Sequence, residues 1–194
     1  MERRDAIKYT ALFMGIGLSA TSVSVMLAGC EVDTSDGWVP SFYTSDEVSF
    51  IRELGETMLP RTNTPGAIDA KVERYLDTIR PLRYTSEENQ KYKEQLSVFM
   101  DEASTLFGQS FIKVKPAQRL EWLTATDKAA YEIISANPDM PAEEKPFYLI
   151  LKEQILSGYF SSEIVAKEFF AFDPIPGRYD ACIPYEDIGR AWAI

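Results

Sequence analysis

The sequence predicts an all-α protein, one compact helical domain followed by a non-helical arm rich in aromatics and proline. Three observations predict it. Apolar residues recur every three or four positions through most of residues 44–160. Two Thr-x-x-Glu segments open such runs as capping boxes. No pair of alternating segments offers a sheet, because residues 111–115 alternate alone and are therefore read as an extended connector.

Thr44-Ser45-Asp46-Glu47 starts the first helix, with Val48, Ile51, Leu54 and Met58 on one face and Pro60 stopping it. Residues 60–67 form a rigid loop, since two prolines, a glycine and short side chains that bond their own backbone make a turn with a mechanism. A second helix is expected over 68–79, with Val72, Tyr75 or Leu76, and Ile79 inward. Thr85-Ser86-Glu87-Glu88 opens the longest helix, supported by Glu87 and Lys91 at i,i+4. Its buried face is Tyr92, Leu96, Phe99, Ala103 and Leu106, and Gly108 ends it. Pro116 starts a helix with Leu120 and Leu123 inward and Trp122 at its flank. A further helical piece covers 127–136, up to Asn137-Pro138. Pro141 restarts a helix through Phe147, Leu151, Ile155 and Leu156, with Pro146 in its first turns and Gly158 at its end. Residues 161–170 supply one or two more turns.

From Phe172 on, Pro174, Pro176, Gly177, Pro184 and Gly189 interrupt any period, while Phe172, Tyr179, Tyr185 and Trp192 add apolar surface. Such a tail is too apolar for disorder and too broken for a helix. Two readings stand: it wraps over its own helices and completes the core, or its aromatics form the centre of a partner interface.

The first residues read as an address rather than as fold. Met1-Glu2-Arg3-Arg4-Asp5-Ala6-Ile7-Lys8 is a short basic head, residues 9–28 carry no charge, and Leu27-Ala28-Gly29-Cys30 follows. Arg3-Arg4 with Ile7-Lys8 resembles a twin-arginine signal. Leu-Ala-Gly-Cys resembles a lipobox, in which Cys30 becomes the lipidated first residue of the mature chain. The alternative is a retained anchor, since about 20 uncharged residues can span a bilayer. Gly15, Gly17 and the polar cluster at 19–24 weigh against it. Gly15-Ile16-Gly17-Leu18-Ser19-Ala20 fits a loose dinucleotide fingerprint but lies outside any strand–helix unit and is set aside. The domain plan is a signal at 1–29, an acidic tether at 30–43 and the helical domain at 44–194.

Composition narrows the chemistry. The formal net charge is −10, and the mature chain, without three basic and two acidic leader residues, carries −11. Nucleic acid and anionic lipid surfaces repel such a domain. There is no histidine, which removes the commonest general base, triads built on His and c-type haem attachment. Of the two cysteines only Cys182 keeps a thiol if Cys30 is lipidated, and it is expected to be buried and inert. The acidic pairs Glu87-Glu88 and Glu143-Glu144 sit at expected helix starts, where capping and the helix dipole account for them.

Three blocks in order then carry a family resemblance. They are Leu59-Pro60-Arg61-Thr62-Asn63-Thr64-Pro65-Gly66-Ala67, Gly158-Tyr159-Phe160-Ser161-Ser162-Glu163-Ile164, and Pro176-Gly177-Arg178-Tyr179-Asp180-Ala181-Cys182-Ile183-Pro184 with Ala191-Trp192. Together they resemble the gluconate 2-dehydrogenase subunit 3 family, with Ala181 standing where a glycine is expected. The resemblance implies a non-catalytic small subunit that binds, co-exports and membrane-anchors a flavin-dependent dehydrogenase of the glucose-methanol-choline type. It implies no cofactor in this chain, FAD on the large subunit, and often a c-type cytochrome carrying haem on a further subunit. The substrates would be sugars, sugar acids or polyols. On this expectation Arg3 and Arg4 serve export, Cys30 holds the complex on the periplasmic side of the membrane, and catalytic and metal sites are absent. The expected partner surface is Thr62, Thr64, Pro65 and Gly66 of the loop with Pro176, Gly177, Tyr179, Cys182, Pro184 and Trp192 of the arm. A stand-alone periplasmic lipoprotein binding a small ligand is the alternative.

Overall fold

A computed structural model of the chain describes residues 37–175, 177 and 182–193. Those residues form seven α-helices: α1 (Ser45–Met58), α2 (Val72–Arg83), α3 (Ser86–Phe107), α4 (Pro116–Ala136), α5 (Phe147–Phe160), α6 (Glu163–Glu168) and α7 (Tyr185–Ile188). The leader, most of the tether and residues 176 and 178–181 lie outside this description. The all-helical expectation holds. The extended pairing among the described residues is one isolated parallel bridge between Ala171 and Trp192.

Both capping boxes are in place. Thr44 accepts from the Glu47 N–H while the Glu47 carboxylate accepts from the Thr44 N–H at 2.7 Å, and Thr85 and Glu88 repeat the exchange. α3 ends on Gly108 in the left-handed conformation.

Several boundaries differ from the expectation, each for a physical reason. α2 begins at Val72, later than predicted, because residues 66–72 make a tight turn: Ala70 N–H donates to Gly66 C=O and Val72 N–H to Ala67 C=O. It then continues past Ile79 to Arg83, carrying Pro81 in its last turn, where few hydrogen bonds remain to be broken. Residues 111–113 form a 3₁₀ turn rather than an extended connector. Buried Arg119 holds that turn, donating to the Phe111 and Ile112 carbonyls and pairing with Glu53 of α1. The two helical pieces expected over 116–136 are one continuous helix. Pro146 does not sit inside α5 but immediately before it, after a 3₁₀ turn at Ala142–Glu144. Gly158 lies within α5 instead of ending it, and the arm holds one short helix, α7.

α5 occupies the centre. Its apolar residues do not gather on one face, so it has to be enclosed. α2, α3, α4 and α6 pack around it, and Leu151 and Ile155 are wholly buried. Each such side chain stabilises the fold by about 2–3 kcal/mol. Gly158 permits a close approach: a Cβ there would lie 2.8 Å from the Tyr75 ring of α2. An aromatic cluster fills the other end, where Phe50, Phe99, Phe107 and Phe111 meet Trp122 and Phe147 at ring separations of 5.0–6.4 Å. Trp122 therefore belongs to the core margin. Leu106 and Leu120, both expected inward, are 64% and 55% exposed because no helix among the described residues lies over those faces.

A polar clasp fastens the entry to the domain. The buried carboxylate of Asp77 accepts from the backbone N–H groups of Ser41, Phe42 and Tyr43 at 2.8–2.9 Å and from the Ser41 hydroxyl at 3.0 Å. Burial works to raise its pKa, but these four donors outweigh it and hold the carboxyl below its ordinary value. Tyr43 in turn donates its hydroxyl to Tyr92 of α3 at 3.0 Å. Burial, the largest cause, pushes the Tyr43 hydroxyl up and raises Tyr92 to about 12.

Asp77→Asn is expected to cost about 2–4 kcal/mol at pH 7, because an amide N–H then faces backbone donors. The folded-state pKa is depressed, so the wild-type advantage is present above about pH 4 and fades as pH falls through the folded value. Urea melts of both proteins between pH 7 and pH 2 would check this, and a constant difference across that range would contradict it.

Candidate functional site

The loop at 60–67 is built by three side chains beneath it. Glu56, near the end of α1, accepts the Arg61 N–H at 2.9 Å with one carboxylate oxygen and the Ile68 N–H at 3.0 Å with the other. Asp69 accepts the Gly66 N–H at 2.8 Å and pairs with the Arg61 guanidinium at 3.2 Å. Tyr159 of α5 donates its hydroxyl to the Pro65 carbonyl at 2.6 Å from a buried position. Burial pushes the pKa of that hydroxyl up, with Glu56 and Asp69 adding to the shift, so it remains a donor. A Cβ on Gly66 would lie 2.6 Å from the Glu56 carboxylate and 2.7 Å from the Arg61 nitrogen, so only glycine fits. Ala67 closes the loop by donating to the Leu59 carbonyl at 2.9 Å, and Gly55 lets it approach α1.

This geometry divides the expected loop residues into two kinds. Pro65, Gly66 and Ala67 are buried under their own chain and shape the loop. Thr62 is exposed and Thr64 half-buried, their hydroxyls 3.2 Å apart at a stiff, projecting tip with Arg61 and Asn63. The tip can offer hydroxyls, an amide and a guanidinium to another surface.

The arm is rooted at the same end of α5. Phe160 follows Tyr159 and packs against Phe169 and Phe170 at ring separations of 6.2 and 5.8 Å. The chain then turns outward at buried Ala171. Ala171 donates to the Ala191 carbonyl at 2.7 Å and accepts from the Ala193 N–H at 2.9 Å, so residues 172–190 leave and return at one point. Arg190 adds a bond to the Glu168 carbonyl at 3.4 Å.

Between those pins, every described residue from 172 to 192 is exposed except Ile188, which is half-buried. The described residues of the arm therefore do not complete the core. Ile175 is 82% exposed, and Phe172, Ile183 and Trp192 between 43% and 49%. Cys182 is exposed, not buried, for the same reason. Gly177 has open space around it, and Pro184 precedes α7, whose Tyr185 hydroxyl donates to the Gly189 carbonyl at 3.1 Å. Pro176 and Tyr179 lie outside the described residues, as do Arg3, Arg4 and Cys30. Thus the structure brings the root of the loop, Tyr159, and the root of the arm, Ala171 with Trp192, to one end of the helix bundle.

Exposed Phe160 and Phe169, 44% and 40% accessible, belong to this surface and were not singled out by sequence reasoning. The adjacent Phe169-Phe170 pair is the available signal, since neighbouring side chains on a helical turn cannot both face one core. No group of three or more His, Cys, Asp or Glu among the described residues could hold a metal ion. No helix among them is long and apolar enough to cross a membrane.

The family model of gluconate 2-dehydrogenase subunit 3 matches residues 45–177, from the first residue of α1 into the arm. The chain belongs to this family. It is thereby an accessory subunit of a dehydrogenase complex, associated with a large subunit. The matched span contains the stiff loop, α5 and Ala171 at the start of the arm, whereas residues 182–193 lie beyond it. No curated protein and no solved structure matches the chain.

In this subunit 3, Tyr159→Phe is expected to leave the Pro65 carbonyl unsatisfied and cost about 1–3 kcal/mol. Gly66→Ala, by forcing apart the loop and Glu56, should cost about 1–3 kcal/mol as well. Thermal melts would give both losses, and hydrogen exchange should rise at the Ala67 amide in each variant. Unchanged exchange there would mean that the loop is held by something else.

Proposed function

We propose that this subunit binds a flavin-dependent dehydrogenase of the glucose-methanol-choline type, carries it through the twin-arginine route and moors it to the membrane. The observation that carries the reading is the arm: about 20 residues, pinned at both ends, with aromatic and aliphatic side chains left in solvent. Long loops of this kind are uncommon unless they are functional. Aromatic side chains at a rigid site are the usual centres of interface energy.

Arg3 and Arg4 would address the folded complex for export, and lipidated Cys30 would hold it on the periplasmic side. The partner supplies FAD and the catalytic base, and a further subunit supplies c-type haem. The absence of histidine from the sequence supports placing proton transfer on another chain. The substrate belongs to the sugars, sugar acids or polyols. The loop tip at Thr62 and Thr64 and the arm from Phe172 to Trp192 would form a single contact surface, of at least about 1,000 Å² in total.

Deleting residues 174–194 tests the reading in cells that make the whole complex. Co-purification of the flavoprotein in mild detergent and its appearance in the periplasm should both fall by about tenfold or more, equivalent to about 1.4 kcal/mol of affinity. Far-UV circular dichroism should show the helices retained. Cys30→Ser should instead release an intact complex from the membrane. Full co-purification without the arm would overturn its role, and a monodisperse protein with no companion would favour a stand-alone lipoprotein.

A further inference from the structure

The opposite end of α5 carries a surface that the loop and arm do not use. α3 and α4 converge at Trp122, whose ring stands 5.3 Å from Phe99 and 6.1 Å from Phe107. Towards Ile133 they part and leave a groove of about 570 Å³. Phe99, Ala130 and Tyr148 form its buried floor. Its walls carry Val98 and Ile133, 58% and 46% exposed.

Among the described residues, charge at the groove has one sign: Glu94 and Glu102 line it, and no basic side chain does. Glu94 accepts a neutral amide N–H from Gln90 at 3.1 Å, and neither carboxylate is in an ion pair among the described residues. The two lie eight positions apart on α3, about 12 Å along its axis, which corresponds to two turns of a facing helix.

We propose that this groove docks an amphipathic helix of a partner protein, its apolar stripe bordered by Lys or Arg. An apolar trough between two helices takes such a helix through anchors at i, i+3, i+4 and i+7. The unpaired carboxylates complement cations beside that stripe. A second copy of this chain is disfavoured, because each copy carries a formal charge of −10 and brings the same acidic rim. α5 is 14 residues long, so the groove and the root of the arm are about 20 Å apart. One subunit can therefore hold two partners at once. The groove does not depend on the role assigned to the arm.

The test uses the full chain and a labelled Leu/Lys amphipathic peptide of about four turns, with a Leu/Glu peptide as its control. Fluorescence anisotropy should show the Leu/Lys peptide binding about tenfold tighter or more than the control. Val98→Glu and Ile133→Glu alter exposed positions, so the fold should persist by circular dichroism. Each should weaken Leu/Lys binding by about tenfold or more. Both substitutions make the surface more acidic, so mere charge attraction would instead strengthen binding. Tighter or unchanged binding in these variants would overturn the proposal, as would equal affinity for the two peptides. A wild-type dimer in sedimentation that Val98→Glu abolishes would also overturn it, making a second copy the occupant. Deleting the arm should leave peptide affinity unaltered, which separates this groove from the surface at the other end.

Discussion

A helix that is apolar around much of its circumference has to be enclosed, and α5 imposes that requirement on the whole molecule. Its Leu151 and Ile155 have no exposed surface, and four other helices supply the cover. The cover is close enough that Gly158 is needed where α2 crosses, so a helix-weakening residue is kept inside the central element. Once α5 is surrounded, its two ends become the places where surface features are positioned. Tyr159 at one end anchors a loop and Phe160 starts an aromatic cluster; Tyr148 at the other end forms the floor of a groove.

Polar side chains then hold the segments that helices alone would leave loose. Asp77 gathers the backbone before α1, Glu56 and Asp69 gather the loop after it, and Arg119 ties the 3₁₀ turn to α1 and α4. Each serves two or more groups at once, which is how partly and fully buried carboxylates and guanidinium groups become satisfied. Glu73 is different. It is buried with one oxygen unpartnered, and burial raises its pKa despite the nearby Arg52, Arg74 and Lys71. The consequence for function is stiffness: the tip at Thr62 and Thr64 rests on a support bonded at several points, while the arm is fixed at its ends and its described residues between them are almost all exposed.

The errors of sequence reasoning have particular causes. Capping boxes were legible because their partners lie three residues apart. Pro146 was misplaced and the run of α2 past Ile79 through Pro81 was not expected, since whether a proline is tolerated depends on the turn in which the helix is already ending or beginning. Leu106 and Leu120 satisfy the helical period yet lie exposed, because periodicity marks a face without saying whether another helix reaches it. The strand-like alternation at 111–113 became a 3₁₀ turn through the reach of Arg119, eight residues from Phe111 along the chain. Of the loop motif, the sequence showed that the segment is rigid; it did not show that Pro65 and Gly66 face inward while Thr62 faces out.

By itself the sequence determined the helical class, the two capped starts, the family and the lack of histidine chemistry, all of which rest on local spacing or on composition. Tertiary structure alone decided which apolar residues remain in solvent. It set the described part of the arm, with Cys182, outside the core, brought Tyr159 under the loop across 94 residues of chain, and opened the groove between α3 and α4. The physical reason is that burial belongs to a pair of surfaces. A side chain's own neighbours in sequence can give it a direction, but only the arrival of a distant element removes it from water.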